Sequence, residues 1–186
     1  MKTNNLCVKA SALALLVVAT LFPGIVGADV KVTSGLACNT VLPAQSQRAE
    51  WREYGVVNKD EKKPLWVICP LERNAMGSDS IYSPEYFSAA LAAFKLPSQP
   101  ESSANVRCIL KELIGANRVG ALSQTVIVNS GSQGVLGVCD IEPEDWASSF
   151  IFVCELPPGT GVSALMSERH AYGAPQISVQ LGLPEC

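Results

Sequence analysis

Nucleophilic hydrolysis needs a base beside its nucleophile, and the chain holds a single histidine, His170, within Ser167-Glu168-Arg169-His170. A histidine in so polar a run reads first as an ordinary surface residue. Ser132 fails the G-x-S-x-G pattern of a nucleophile elbow, because Ser130 stands where the first glycine belongs. Gly159-Thr160-Gly161-Val162-Ser163 lacks the lysine and spacing of a phosphate loop, and Pro157-Pro158 before it makes it a turn. The sequence therefore assigns no catalytic residue and no cofactor. The one dense acidic cluster is Asp140, Glu142, Glu144 and Asp145. Calcium takes such oxygen ligands, but alternation with Ile141 and Pro143 does not follow the EF-hand loop. Glycoside hydrolysis takes two acids facing across a cleft, which adjacency along the chain does not supply. The cluster reads as a solvated loop with no metal assigned. Trp146 sits among these acids, and a large ring with polar neighbours is how many sugar- and protein-binding surfaces are made. Trp146, Asp140, Glu142, Glu144 and Asp145 are thus the candidate binding residues; the competing reading folds the ring back over the edge of the domain. Trp66, flanked by apolar residues, is expected in the core.

Sulfur is the next chemistry on offer. Cys7 lies near the N-terminus, followed by Cys38, Cys69, Cys108, Cys139, Cys154 and Cys186. No CxxC pair occurs and histidine is nearly absent, which argues against zinc. Cys7 leaves with the N-terminal signal, and the six that remain, an even number in an exported chain, read as disulfides, so that none is free to act as a nucleophile.

Export is written at the N-terminus. Lys2 and Lys9 precede an apolar stretch from Ala10 through Phe22, then Pro23-Gly24, then small residues ending at Ala28. That order is a cleavable signal peptide over 1–28; the stretch is shorter than the about 20 apolar residues of a membrane span. Residues 29–186 are then one extracytoplasmic domain, secreted or periplasmic, with no membrane anchor after cleavage. Without Lys2 and Lys9 it carries 12 Lys and Arg against 17 Asp and Glu, a formal charge of −5. A balance of that sign lacks the basic patches that nucleic acid requires. The short lysine-led signal and the lack of any Asn-x-Ser/Thr site fit a bacterial protein.

The elements that would position these residues are mainly strands. Leu65-Trp66-Val67-Ile68-Cys69 is a short apolar run stopped by Pro70; Val106, Cys108 and Leu110 alternate with Arg107, Ile109 and Lys111. Phe150, Phe152, Cys154 and Leu156 share one face of another strand. Gln124–Asn129 and Val135–Cys139 around Ser130-Gly131-Ser132-Gln133-Gly134 read as a hairpin with a longer loop. Asn58 to Pro64 is a charged solvated turn. Residues 84–95 point the other way: Ser83-Pro84-Glu85 is a helix start, and Phe87, Leu91 and Phe94 recur at helical spacing among alanines until Pro97.

The order of Cys38, Tyr54-Gly55-Val56-Val57-Asn58, Trp66-Val67-Ile68-Cys69-Pro70, Val106-Arg107-Cys108-Ile109-Leu110 and Val153-Cys154-Glu155-Leu156-Pro157-Pro158 resembles a group of small secreted bacterial proteins of unassigned function. The resemblance implies a β-sandwich-like domain with two disulfides among the four shared cysteines, and carries over no catalytic residue. Cys139 and Cys186 are extra and would then pair with each other. It also implies a strand where the capping signals place the helix; the expectation adopted is the helix. The fold expected is thus all-β in the main: a single two-layer, disulfide-stapled sandwich with one short helix. The function expected is a non-enzymatic binding or structural module whose partner is an unidentified extracytoplasmic glycan or protein. A secreted inhibitor presenting a rigid loop at Pro157 to Gly161, and a secreted hydrolase, are the alternatives.

Overall fold

A computed structural model describes residues 30–71, 85–97, 102–114, 117–142 and 149–171. The signal-like segment 1–28 and Ile177–Leu181, expected as a last strand, lie outside them. The described chain is a mainly β sandwich of two antiparallel sheets. Its strands are β1 (Lys31–Ser34), β2 (Asn39–Thr40), β3 (Ala49–Arg52), β4 (Gly55–Asn58), β5 (Leu65–Pro70), β6 (Glu85–Lys95), β7 (Ser103–Ile114), β8 (Asn117–Asn129), β9 (Gln133–Ile141), β10 (Ser149–Leu156) and β11 (Thr160–Ala171). The first sheet runs β3-β4-β11-β6-β9, with β1 also paired to β11; the second runs β2-β5-β10-β7-β8.

Alternation decides which face each strand buries. Val106, Cys108 and Leu110 of β7 and Phe150, Phe152, Cys154 and Leu156 of β10 point inward and are buried, as their period of two requires. They meet Val56, Leu91, Leu136, Val138, Val162 and Leu165 of the other sheet in one core. Phe87 of β6 stacks on Phe150 of β10 across the layers, ring centroids 3.9 Å apart. The same alternation corrects one expectation. In β5 Leu65, Val67 and Cys69 are buried, so Trp66 and Ile68 turn to the outer face and are only half-buried.

Four cysteines pair among themselves, as the resemblance implied: Cys38 with Cys69, and Cys108 with Cys154. Cys108 lies directly opposite Cys154 in the β7–β10 register of the second sheet, and Cys38, the residue just before β2, is bridged to Cys69 of β5 in the same sheet. These two bridges therefore reinforce one layer and do not join it to the other. Cys139 is also disulfide-bonded; Cys186, its expected partner, lies outside the described residues.

Two expectations fail. Residues 85–95 are not a helix but β6, paired along eleven positions with β11 and on its other edge with β9. Helix propensity favours alanine by only tenths of a kcal/mol per residue. As a helix, the segment would leave the facing edges of β11 and β9 without their ladders. Its local pattern resembles a helix because both its faces are buried, Ala89, Leu91 and Ala93 inward and Ser88, Ala90, Ala92 and Phe94 outward. A strand buried on both sides shows no period of two. The hairpin at 124–139 fails as well: β8 pairs with β7 and β9 with β6, so the turn between them crosses from one sheet to the other. Gly131 N–H donates to Lys95 O and Lys95 N–H to Ser132 O, tying that turn to the end of β6. Val128 and Leu136 face the core from the two layers, so the strands meet through side chains.

The β7–β10 bridge should contribute through the unfolded chain it restricts. Replacing both partners (Cys108→Ala with Cys154→Ala) is expected to lower the unfolding free energy by about 2–4 kcal/mol, read as a shifted urea midpoint of the oxidised protein.

Candidate functional site

The acidic cluster expected to accompany Trp146 is largely out of view: Glu144, Asp145 and Trp146 lie outside the described residues, as does the side chain of Asp140. Glu142 is exposed just past the end of β9. His170 pairs with Tyr86 in the β11–β6 ladder, its side chain also outside the description. Ser132 serves its own turn, its hydroxyl bonded to both the N–H and the carbonyl of Asn129. The Pro157 to Gly161 loop does not stand proud of the surface. Gly159 N–H donates to Asn58 O, Leu96 N–H to Gly159 O, and Thr160 is fully buried. Among the described residues no group of three or more His, Cys, Asp or Glu side chains is arranged to hold a metal ion. No helix among them is long and apolar enough to cross a membrane.

The structure assembles a different group, at the other end of β6. The β3–β4 hairpin closes through Glu53 and Tyr54, and its return begins at Gly55 with φ of 134°. A side chain is unwelcome there for a second reason: a Cβ on Gly55 would lie 1.9 Å from the carbonyl oxygen of Val162. The hairpin is thereby pressed against β11. Register then sets one row across the sheet: Glu50 opposite Val57, Val57 opposite Gly161, Gly161 opposite Phe94 and Phe94 opposite Gln133. Gly161 is bare so that the Phe94 ring can lie across it, since a Cβ would come within 2.5 Å of that ring. Phe94 is itself buried and forms the base of the group.

Tyr54 stands against this base, its ring edge-on to Phe94 at 5.3 Å and 75°, a favoured aromatic geometry. Arg52 holds it from the other side. Its Nη1–H donates to the Tyr54 hydroxyl at 2.7 Å and its Nη2–H to Glu50 Oε2 at 2.9 Å. The guanidinium carbon lies 5.9 Å from the Tyr54 ring centre, within cation–π range. The Arg52 hydrogen bond pulls the Glu50 carboxyl below the ordinary glutamate value, and the Glu50 bond in turn raises Arg52. Tyr54 nevertheless keeps 39% of its surface exposed. The result is a fixed aromatic ring with a carboxylate and a guanidinium beside it, all on one solvent-facing patch. Arg52 Nε is shielded from solvent and meets no acceptor among the described residues. Such orphan donors are uncommon, so the guanidinium is placed for Glu50 and Tyr54 at the expense of its own third nitrogen.

Trp51 emerges from the opposite side of β3. It is 45% exposed, and its indole N–H donates to the carbonyl of Cys38. The sequence names Tyr54 only within the resemblance and Phe94 only within the expected helix, and assigns none of these residues to a site. The available signal is Trp51-Arg52-Glu53-Tyr54-Gly55, rings and charges packed before a glycine. Glu142 and the Tyr54 group cannot act together at one small ligand. Ile141 is opposite Phe87 and Gln133 opposite Phe94, so they sit seven residues apart along β6, roughly 23 Å at strand rise.

No protein-family model and no curated protein matches this chain. Among solved structures it is similar to a xylan-binding module, CBM15, at 10% identity and a TM-score of 0.44, over 76% of this chain and 97% of the module. It is also similar to a second carbohydrate-binding module solved with β-1,4-galactotriose, at 13% identity and a TM-score of 0.37, over 76% of this chain and 88% of that one. A third is the family 11 carbohydrate-binding module from Clostridium thermocellum, solved with a mixed-linked tetrasaccharide, at 10% identity and a TM-score of 0.33, over 80% and 90% of the two chains. These likenesses are distant.

The Glu50–Arg52 pair should be visible in acid. A carboxyl lowered in the folded state stabilises the fold above its unfolded value and loses that contribution as pH falls through the lowered one. A ¹³C titration by NMR is expected to place the Glu50 midpoint below that of glutamate in an unfolded peptide, and Arg52→Gln to return it upward.

Proposed function

We propose that the mature chain is an exported, non-enzymatic module that binds glycan on the patch made by Glu50, Arg52, Tyr54 and Phe94. The observation that carries this reading is Tyr54: an aromatic ring left 39% exposed and yet held in place by Arg52 and Phe94. A tyrosine with no role at the surface gains more by packing or by moving freely. One that is restrained and open is already in its binding conformation, so little entropy is lost when a partner arrives. A sugar suits what it offers. The apolar C–H face of a pyranose covers an aromatic ring, while its hydroxyls bond to polar groups at the ring's margin. Glu50 and Arg52 supply those groups. Export agrees with the N-terminal signal and with bridged cysteines, which persist in oxidising compartments.

Truncating the ring tests this directly. Tyr54→Ala is expected to weaken binding to the best ligand on a glycan array about tenfold or more, as loss of a central aromatic contact does, with an unchanged circular dichroism spectrum. Undiminished binding by a folded Tyr54→Ala protein would remove the site.

A further inference from the structure

We propose that this patch selects uncharged sugar units and discriminates against uronates and sulfated glycans. The inference rests on the glycan reading above and concerns which glycans it admits.

Arginine is ordinarily the residue that grips carboxylate or sulfate, through a fork of parallel N–H donors. Here one hydrogen on each arm of the fork is engaged from within. One arm holds the Tyr54 hydroxyl, the other holds Glu50, and Nε is shielded. An arriving carboxylate would have to share the guanidinium with Glu50, whose oxygen is already 2.9 Å from Nη2. The two anions would then repel across one cation. Of the neighbouring charges, Lys59 acts on the Glu50 carboxyl, and Glu53 sits in the hairpin turn itself. The mature chain, at −5, adds no general attraction for a polyanion.

What the patch has left to offer is suited to hydroxyls. Glu50 is bonded only through Oε2 among the described residues, so Oε1 can accept. The Tyr54 oxygen accepts from Arg52 and keeps its own proton to donate. The second hydrogen on each Arg52 Nη nitrogen remains a donor. An acceptor and donors on one margin of an aromatic ring match adjacent hydroxyls of a sugar, each of which both gives and takes a hydrogen bond. None of these atoms requires charge on the ligand.

Affinity electrophoresis of the mature chain separates the outcomes, in gels holding neutral xylan, neutral mixed-linked glucan or polygalacturonate at low salt. Retardation by at least one neutral polymer, with about tenfold weaker retardation by polygalacturonate, is the expected result, equivalent to about 1.4 kcal/mol. Glu50→Gln should weaken the neutral interaction and strengthen that with polygalacturonate, because it removes the carboxylate charge that offsets the guanidinium. Equal or stronger retardation of the natural protein by polygalacturonate would overturn the selectivity while leaving the glycan reading intact. No retardation by any of the three would overturn both. Neutral retardation unchanged in both Glu50→Gln and Tyr54→Ala would place the ligand elsewhere and overturn the proposal.

Discussion

An alanine-rich segment held extended between two long partners is the constraint on which the first sheet depends. β6 satisfies its backbone against β11 on one edge and β9 on the other. Both ladders depend on that one segment, so neither β9 nor the β11–β4–β3 side would have its place in the layer without it. Its alanines allow this. Ala89 and Ala93 leave room for the larger side chains of the core, and Ala90 and Ala92 are covered on the other face. Bulky residues there would have to displace neighbours on both sides of the sheet, and close-packed interiors resist that.

The functional patch follows from where β6 ends. Phe94 is the penultimate residue of that strand, and its ring is laid across Gly161 because β11 pairs with β6 in a register that puts the two opposite. Tyr54 rests on Phe94, Arg52 on Tyr54, and Glu50 on Arg52. The exposed end of this series is therefore positioned by buried backbone pairing. Order in the patch reflects the ladder beneath it, which is how a small β-domain can present a rigid recognition surface on an edge hairpin.

The Cys108–Cys154 bridge joins β7 to β10 inside the second sheet, and Cys38–Cys69 ties the residue just before β2 to β5 of the same sheet. The first sheet, which carries the patch, is held by its ladders and the core, and its β9 contains the bonded Cys139. Between the layers, contacts such as Phe87 on Phe150 do the joining. Asn58 adds a polar tie at the end of β4, its side-chain amide donating to Leu156 O of the opposite layer and to Lys63 O.

Much of the sandwich was legible in the chain itself. Local alternation in β7 and β10 named the inward residues correctly, because a strand with one buried face writes its period of two into the sequence. Composition and spacing identified the cysteines as bridges, and the resemblance separated the four that pair together from the rest. Tertiary structure decided what local pattern does not encode. Whether residues 85–95 coil or extend depends on two partner edges more than sixty residues away in the case of β11. Whether β8 and β9 pair with each other depends on competing edges offered by β7 and β6. The patch belongs to this second class, since Glu50, Arg52 and Tyr54 lie close in sequence but acquire their base only from Phe94 and Gly161. Hydrogen-bonded register between distant strands brings those residues together, and no single stretch of chain contains that information.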